Sequence, residues 1–256
     1  MIFLVFAFIF GLIIGSFLNV VIYRLPAHVS IVSPPSRCPS CGTRIKPYDN
    51  VPVLSYLLLR GRCRCCGWNI PPRYPFVELL TGLVSLGLYA RYGLTAGLAA
   101  ADLLAFSLVA VAFIDIDHGI IPDRITYPGI VLGIASSFFA GINTPLGALA
   151  GIIAGAGILF ATAFIYKAVT GVEGMGMGDV KLMAMIGAFL GWEASLFVIV
   201  LSALLGSIAG LSLMAFAGKG RRYAIPYGPF ISAAAVAYLF YGRVIIDLYM
   251  RVIGHA

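Results

Sequence analysis

The sequence predicts an all-α, polytopic membrane protein with about eight transmembrane helices and a small loop domain between the first two. Of its 256 residues, 61% are hydrophobic and only 11% are charged, whereas globular domains carry about 25% charged residues. The hydrophobic residues form long runs, and about 20 such residues cross the bilayer core as a helix. Helices are expected because lipid offers no hydrogen-bond partners to an open strand. The runs are residues 1–23, 75–91, 96–116, 125–141, 145–168, 178–191, 194–217 and 226–250.

One polar segment divides the chain into three predicted parts. The first run has no basic segment before it and is too long for a cleaved signal peptide, so we interpret residues 1–24 as a retained helix. Residues 25–74 are rich in Pro, Arg and Cys and form the predicted loop domain. Residues 75–256 form the predicted membrane-embedded domain, because no second polar segment of that size follows.

The distribution of basic residues predicts which helix ends face the cytoplasm. Eight basic residues lie between the first two runs, and only Arg91, Arg243 and Arg251 fall on the opposite side of the membrane. By the positive-inside rule, the polar loop is cytoplasmic and both termini lie outside. The net charge of +7 therefore indicates topology, and we expect no nucleic-acid partner. The other basic residues on the loop side are Arg124, Lys167, Lys181, Lys219, Arg221 and Arg222.

Four cysteines of the loop have the spacing of a zinc site. Cys38 and Cys41 form one CxxC pair, Cys63 and Cys66 form a second, and a glycine directly follows each pair. Such spacing suits a tetrahedral four-thiolate zinc ion with a structural role, because no ligand position is left for water. A short polar segment also needs a staple of this kind to fold. Disulfides are the alternative, disfavoured on a cytoplasmic face, and Cys65 is expected outside the site.

Two acidic residues stand at the ends of apolar runs, where an acid is costly unless it has a function. Asp115 ends the run 103–114. Asp179 follows the alternating glycines of residues 174–178 and precedes another apolar run. Both are predicted at cytoplasmic helix ends, and therefore at the same depth.

The residues after Asp115 are predicted to leave the helix. Asp117 and His118 are expected in a solvated loop, where polar residues are ordinary. Pro122 is expected to end the helix, and Asp123 to cap the next one.

A close pair of carboxyl groups is suited to hydrolysis of a peptide bond. The two groups share a proton because they cannot both ionise cheaply. The ionised group can activate water, and the protonated group can donate to the carbonyl oxygen of the scissile bond. Gly176 and Gly178 lack a Cβ, so together with Lys181 they form a predicted approach segment for an extended substrate. The alternative for Asp179 is an ordinary helix N-cap.

Other chemistries fit the sequence less well. There is no GxSxG, HExxH or Walker A segment, so serine, zinc-dependent and ATP-driven mechanisms lack their parts. A transporter or channel is the alternative from another class of protein, since acids and glycine breaks also occur in transport helices. It leaves the cysteine loop unexplained.

Two further polar residues lie in apolar surroundings, and each has two open interpretations. Asn19 either makes a hydrogen bond between helices or contacts a substrate or cofactor. Glu78 either pairs with an arginine of the loop or touches a ligand.

Taken together, these motifs resemble those of the type IV prepilin peptidases, which are bacterial leader peptidases and N-methyltransferases of the GxGD aspartic protease class. The resemblance covers nearly the whole length of the chain. Its motifs are residues 15–20 (GSFLNV), 24–26 (RLP), the double CxxC loop, 73–75 (RYP), 78–82 (ELLTG), 115–118 (DIDH), 121–123 (IPD) and 176–181 (GMGDVK).

The resemblance implies a function in the bacterial inner membrane. The family's catalytic aspartates map onto Asp115 and Asp179, and the distance to Pro122 selects Asp115 over Asp117. The implied substrates are prepilins or pseudopilins of type IV pili and type II secretion, cut after a glycine on the cytoplasmic side. Many members then methylate the new N-terminus with S-adenosylmethionine. The paired cysteines match the family's zinc loop. No methyl-donor residues and no oligomeric state are assigned.

Overall fold

The computed structural model describes residues 2–172, 174–217 and 225–254, without the side chains of residues 243 and 245–253. Within these ranges the regular structure is helical, and the only strand-like pairing is two isolated bridges in the polar loop. Each of the eight predicted runs contains a helix, so the all-α prediction is confirmed. Three of the basic residues predicted on the loop side of the membrane lie outside the described residues, namely Lys219, Arg221 and Arg222.

The chain forms two compact units, Met1–Leu94 and Thr95–Ala256. In the first unit, α1 (Ile2–Arg24) packs against α3 (Arg73–Tyr92), and the polar loop between them contains the short α2 (Leu54–Leu58). The predicted three-part division of the chain stays a prediction.

Small residues bring the backbones of α1 and α3 together. A Cβ added to Gly11 would lie 2.6 Å from the Thr81 carbonyl oxygen, and one added to Gly15 would lie 2.7 Å from the Cα of Glu78. Close backbone contact of this kind stabilises helix pairs in membranes, where burial of apolar surface gives little driving force.

Two polar side chains of this unit bind backbone groups. The Asn19 amide donates to the Tyr74 carbonyl oxygen at 3.1 Å, so the predicted hydrogen bond between helices is confirmed. Glu78 is buried, and its carboxylate accepts hydrogen bonds from the Val53 N–H, at 2.8 Å, and from Ser16. Val53 has a φ of 59°, which is strained for a β-branched residue. Glu78 therefore holds a strained turn of the loop against α3.

The second unit contains the remaining helices of the described part of the chain. Two of these helices begin at a threonine N-cap: the Thr95 and Thr144 side chains accept hydrogen bonds from the backbone N–H groups of Leu98 and Gly147. The helices are α4 (Ala96–His118), α5 (Asp123–Ser136), α6 (Pro145–Thr170), α7 (Met177–Leu190), α8 (Trp192–Ala217) and α9 (Gly228–Ile253).

The short helix α7 lies in the core of this unit, packed against α5, α6 and α8. Every residue from Leu182 to Leu190 is buried. Glycines on the neighbouring helices make room for it: a Cβ on Gly133 of α5 would lie 2.8 Å from that of Ala188. A Cβ on Gly151 of α6 would overlap the carbonyl group of Gly187. These contacts fix the depth of α7 in the bundle.

The helices make this chain a multi-pass membrane protein. Among the described residues, α1, α4, α6 and α8 are long and apolar enough to cross a membrane. The described apolar stretch of α9, Gly228–Gly242, is shorter, and α5 and α7 contain 14 residues each. The exact number of spans stays a prediction.

The predicted start of the loop after Asp115 was wrong. Asp117 and His118 belong to the last turn of α4, although both are exposed. The helix ends at Gly119, whose left-handed backbone (φ 65°) lets its N–H bond the Asp115 carbonyl oxygen. Pro122 is instead the N-cap of α5. Gly119 therefore ends α4, and Pro122 lies beyond the end of the helix.

We expect Gly151→Val to destabilise the second unit, because the new side chain would overlap the Gly187 carbonyl group in a closely packed contact. Overpacking of this kind costs about 1–3 kcal/mol. The melting temperature of the protein in detergent should therefore fall.

The matched control is Gly157→Val on the same helix. No atom lies within 4 Å of a Cβ added there, so this variant should melt like the wild type. Equal melting temperatures for the two variants would contradict the packing described for α6 and α7.

Candidate active site and metal centre

Asp115 lies in the last turn of α4 and is only 6% exposed. Its Oδ2 accepts a hydrogen bond of 2.8 Å from the backbone N–H of Gly228, the first residue of α9. The positive end of the α9 dipole therefore faces this carboxyl group. A buried acid at an apolar helix end gains a donor by this contact, which offsets part of the cost of leaving water.

Asp179 is the third residue of α7 and is 9% exposed. The N-cap position expected for it as an alternative is occupied by Gly176. The Asp179 carboxylate reaches back and accepts a hydrogen bond from the Gly176 N–H, as the third residue of a capping box does. Asp179 thus satisfies one free N–H at the start of the helix while staying largely shielded from solvent.

The structure brings the two aspartates together. The Asp115 carboxylate lies close enough to act electrostatically on Asp179, although 63 residues separate them along the chain. One acid lies at the carboxyl end of α4 and the other at the amino end of α7. Two buried carboxyl groups at such a junction can exchange protons with a polarised carbonyl group and a water molecule.

Sequence reasoning missed two residues of this site, Tyr227 and Gly228. The Tyr227 hydroxyl group forms a hydrogen bond of 2.8 Å with the Ser202 Oγ and lies in electrostatic range of Asp179. Gly228 donates to Asp115. The only sequence signal was a proline on each side of this pair, directly before the last apolar run.

The predicted approach segment is partly occupied by contacts within the protein. A Cβ on Gly178 would lie 2.9 Å from the Cβ of Ile121, so this glycine packs against the segment before α5. Lys181 binds both carboxylate oxygens of Asp123, at 2.7 and 2.9 Å, and lies 5.1 Å from the centre of the Tyr127 ring. Gly176 is the more open position, because a Cβ added there would have an Asp179 oxygen as its nearest atom, at 3.7 Å.

The polar loop of the first unit contains two turns with the same backbone pattern. In the first, the Cys38 N–H bonds the Thr43 carbonyl oxygen and the Gly42 N–H bonds the Cys38 carbonyl oxygen, each at 2.9 Å. Gly42 has a φ of 69°, which favours glycine at this position. The turn places Cys38 and Cys41 side by side.

The second turn repeats this arrangement with Cys63 and Cys66. The Cys63 N–H bonds the Trp68 carbonyl oxygen at 2.8 Å, and the Gly67 N–H bonds the Cys63 carbonyl oxygen at 2.9 Å. Gly67 has a φ of 71°. The glycine after each CxxC pair is therefore explained by the backbone of the turn.

The four sulfur atoms of these turns form one cluster. All four lie within 4.8 Å of one another, and the Cys38 and Cys66 sulfurs are 3.8 Å apart. A tetrahedron with metal–sulfur bonds of about 2.3 Å has its sulfurs about 3.8 Å apart. The cluster therefore fits zinc. The five described cysteines are all free of disulfides, and Cys65 lies outside the cluster near Thr43.

The backbone turns change the acidity of the cluster unevenly: although a backbone hydrogen bond of Trp68 lowers the pKa of Cys66, burial and hydrogen bonds with the other three thiols raise it to about 11. Hydrogen bonds from Thr43 lower the pKa of Cys41 to about 6, and backbone N–H groups of Cys65 and Cys66 lower the pKa of Cys63. Thiolates are the form of cysteine that binds zinc. Two members of the set are therefore poised as ligands by the turns that hold them.

Comparison with known proteins covers both units. The model of the bacterial peptidase A24 N-terminal domain matches residues 9–92, and that of the type IV leader peptidase family matches residues 103–211. No solved structure matches the chain.

Three similar proteins share the name prepilin leader peptidase/N-methyltransferase. One from Pseudomonas putida is 37% identical over 275 residues, which cover 98% of this chain and 95% of the relative. One from Aeromonas salmonicida (strain A449) is 39% identical over 272 residues, covering 96% and 93%. One from Myxococcus xanthus (strain DK1622) is 45% identical over 217 residues, covering 85% and 65%.

We expect the Cys38→Ser/Cys41→Ser double variant to lose zinc, because only two thiolates of the cluster remain. Metal analysis of the purified protein should give close to one zinc per chain for the wild type and close to none for this variant. Cys65→Ser is the matched control and should keep its zinc. Retention of zinc by the double variant would contradict four-thiolate ligation.

Proposed function

Because the chain belongs to the type IV leader peptidase family, as its motifs predicted, we propose that it removes the short basic leader peptide from prepilins or pseudopilins. The observation that carries this proposal is the buried pair Asp115 and Asp179, in the last turn of α4 and the first turn of α7. The named relatives are prepilin leader peptidases, which supports the substrate class.

In the proposed mechanism, the two carboxyl groups divide the work of an acid and a base. The ionised carboxylate takes a proton from water as the water oxygen attacks the scissile carbonyl carbon. The protonated carboxyl group donates to the carbonyl oxygen. When the tetrahedral intermediate collapses, the C–N bond breaks and the leaving amine takes the proton that the first carboxylate removed from water. The second carboxylate takes back a proton from a hydroxyl group of the intermediate, which leaves the product as a carboxylic acid. No covalent bond to the protein is required.

We place this reaction at the cytoplasmic face of the inner membrane. In the predicted topology, the basic residues concentrate on the side of the polar loop, together with Lys167 and Lys181, and this side is expected to face the cytoplasm. Asp115 and Asp179 follow that assignment, because the predicted spans place both at loop-side helix ends. The exposed apolar faces of α6 and α8 would contact lipid.

The cysteine cluster would hold a structural zinc ion. Four thiolates, from Cys38, Cys41, Cys63 and Cys66, complete a tetrahedral shell and leave no position for a substrate or a reactive water. The metal would supply folding energy to a polar loop that has almost no apolar core of its own.

We also propose that the new N-terminal amine is methylated with S-adenosylmethionine. This activity is supported by the N-methyltransferase part of the relatives' shared name. The described residues suggest no specific donor site, so no residue is assigned to methyl transfer. The alternative function as a transporter or channel gains no support from the comparisons.

Lys181 and Asp123 are proposed to position the catalytic Asp179. Lys181 follows Asp179 by two residues on α7, and its ion pair with Asp123 joins the start of α7 to the start of α5. The two side chains are 27% and 53% exposed, so the pair should add only about 0–1 kcal/mol of stability. Its effect should therefore be seen in the reaction.

We expect Asp115→Asn and Asp179→Asn each to slow prepilin cleavage by about 10²–10⁴-fold, because each removes one proton-transfer group. Mass spectrometry of a co-incubated prepilin in proteoliposomes measures this directly as loss of the leader. The same spectra report methylation, as a further methyl-sized gain in the mature protein.

The control for these variants is Asp117→Asn, which alters an exposed neighbour of Asp115 and should keep most of the activity. Melting temperatures should show that all three variants are folded. Near-normal cleavage by either catalytic variant would refute the two-aspartate mechanism.

We expect Lys181→Met to lower kcat for prepilin cleavage roughly tenfold to a hundredfold, because a small displacement of a catalytic group has effects of this size. The melting temperature should change little. Asp123→Asn should behave in the same way, and the double variant should be no worse than either single variant. Losses that multiply in the double variant would show that the two residues act independently.

A further inference from the structure

A groove with a volume of about 320 Å³ lies in the second unit, between α8 and the segment that leads into the first turn of α9. This volume is at the lower end of the range for ligand pockets. None of its lining residues is charged. They are Ala203, Gly206, Ser207, Ile225, Tyr227 and Phe230.

The groove exists because α8 carries small residues opposite two aromatic rings of the facing segment. A Cβ added to Gly206 would lie 3.4 Å from the Tyr227 ring and 3.7 Å from the Phe230 ring. These are ordinary contact distances, so about one methyl group would fit between the Gly206 backbone and the two rings. Ala203 and Ser207, on either side of Gly206, are exposed and leave the groove open along α8.

The chain segment that starts α9 links the groove to the candidate active site. Tyr227 forms one wall of the groove, binds Ser202 through its hydroxyl group and lies in electrostatic range of Asp179. The next residue, Gly228, donates its N–H to Asp115. A substrate whose scissile bond reached the two acids would therefore have its neighbouring residues beside this groove, since an extended chain advances about 3.3 Å per residue.

We propose that this groove binds an apolar side chain of the substrate close to the scissile peptide bond. This inference rests on the proposed function and adds a specificity site to it. An apolar side chain gains by contact with Phe230 and the Tyr227 ring. A charged side chain would be unpaired there, because no lining residue offers an opposite charge. The groove would thus favour substrates with an apolar residue at the position whose side chain enters it.

The first experiment is photo-crosslinking of the full-length protein in proteoliposomes. A benzoylphenylalanine at Ser207, combined with Asp179→Asn to retain uncut prepilin, should crosslink to prepilin residues beside the cleavage point. The same probe at Gly157, an open position on α6, should give no such product. Crosslinks from position 207 only to lipid, or equal prepilin crosslinks from both positions, would overturn the proposal.

The second experiment fills the groove. Gly206→Leu should raise the KM for prepilin roughly tenfold to a hundredfold, the range expected for one apolar side chain in a pocket. Gly157→Leu is the matched control and should leave KM unchanged. The test can be repeated with a prepilin in which alanine replaces the crosslinked residue. For this substrate, Gly206→Leu should raise KM by a smaller factor than it does for the unaltered prepilin, because the smaller side chain needs less room in the groove.

The outcomes separate this inference from the proposed function. Active Asp115→Asn and Asp179→Asn variants would refute the peptidase mechanism itself. If those variants are inactive but Gly206→Leu keeps a normal KM, only the groove proposal fails. If Gly206→Leu does not fold, the crosslinking result from position 207 decides the matter.

Discussion

The site depends on one constraint: two carboxyl groups buried in an apolar bundle need hydrogen-bond donors, because an unpaired buried acid costs several kcal/mol. Each aspartate obtains a backbone N–H from a helix start. Asp115 is bonded by Gly228 at the beginning of α9, and Asp179 by Gly176 at the beginning of α7. Three helix ends therefore lie at the acid pair: the carboxyl end of α4 and the amino ends of α7 and α9.

The depth of α7 is the second requirement, because it sets where Asp179 lies relative to Asp115. Glycines on α5 and α6 let this 14-residue helix sit against its neighbours, with Gly151 and Gly187 in backbone contact. At the amino end of α7, the partly exposed ion pair between Lys181 and Asp123 joins this helix to α5. Packing and charge thus act on the same helix, one along its length and the other at its end.

Much of this arrangement could be predicted from the sequence. Apolar runs gave the helices, and the CxxC pairs with their glycines gave the sulfur cluster, since both signals are local. The end of α4 was misplaced because polarity suggested a loop at Asp117 and His118 and Pro122 suggested a later stop, whereas the helix ends at Gly119. Tyr227 and Gly228 were missed because their contacts cross more than a hundred residues of chain, or depend on α8, and no local pattern reports them.

The most direct test of the account is a double-mutant cycle on the cleavage rate with Asp115→Glu and Asp179→Glu. Glutamate keeps the carboxyl group but moves it, so rates should remain measurable in both single variants. Residues that act as one unit show a coupling energy of about 0.5–3 kcal/mol. The account predicts coupling in that range. Losses that simply multiply in the double variant would contradict a joint role for the two acids.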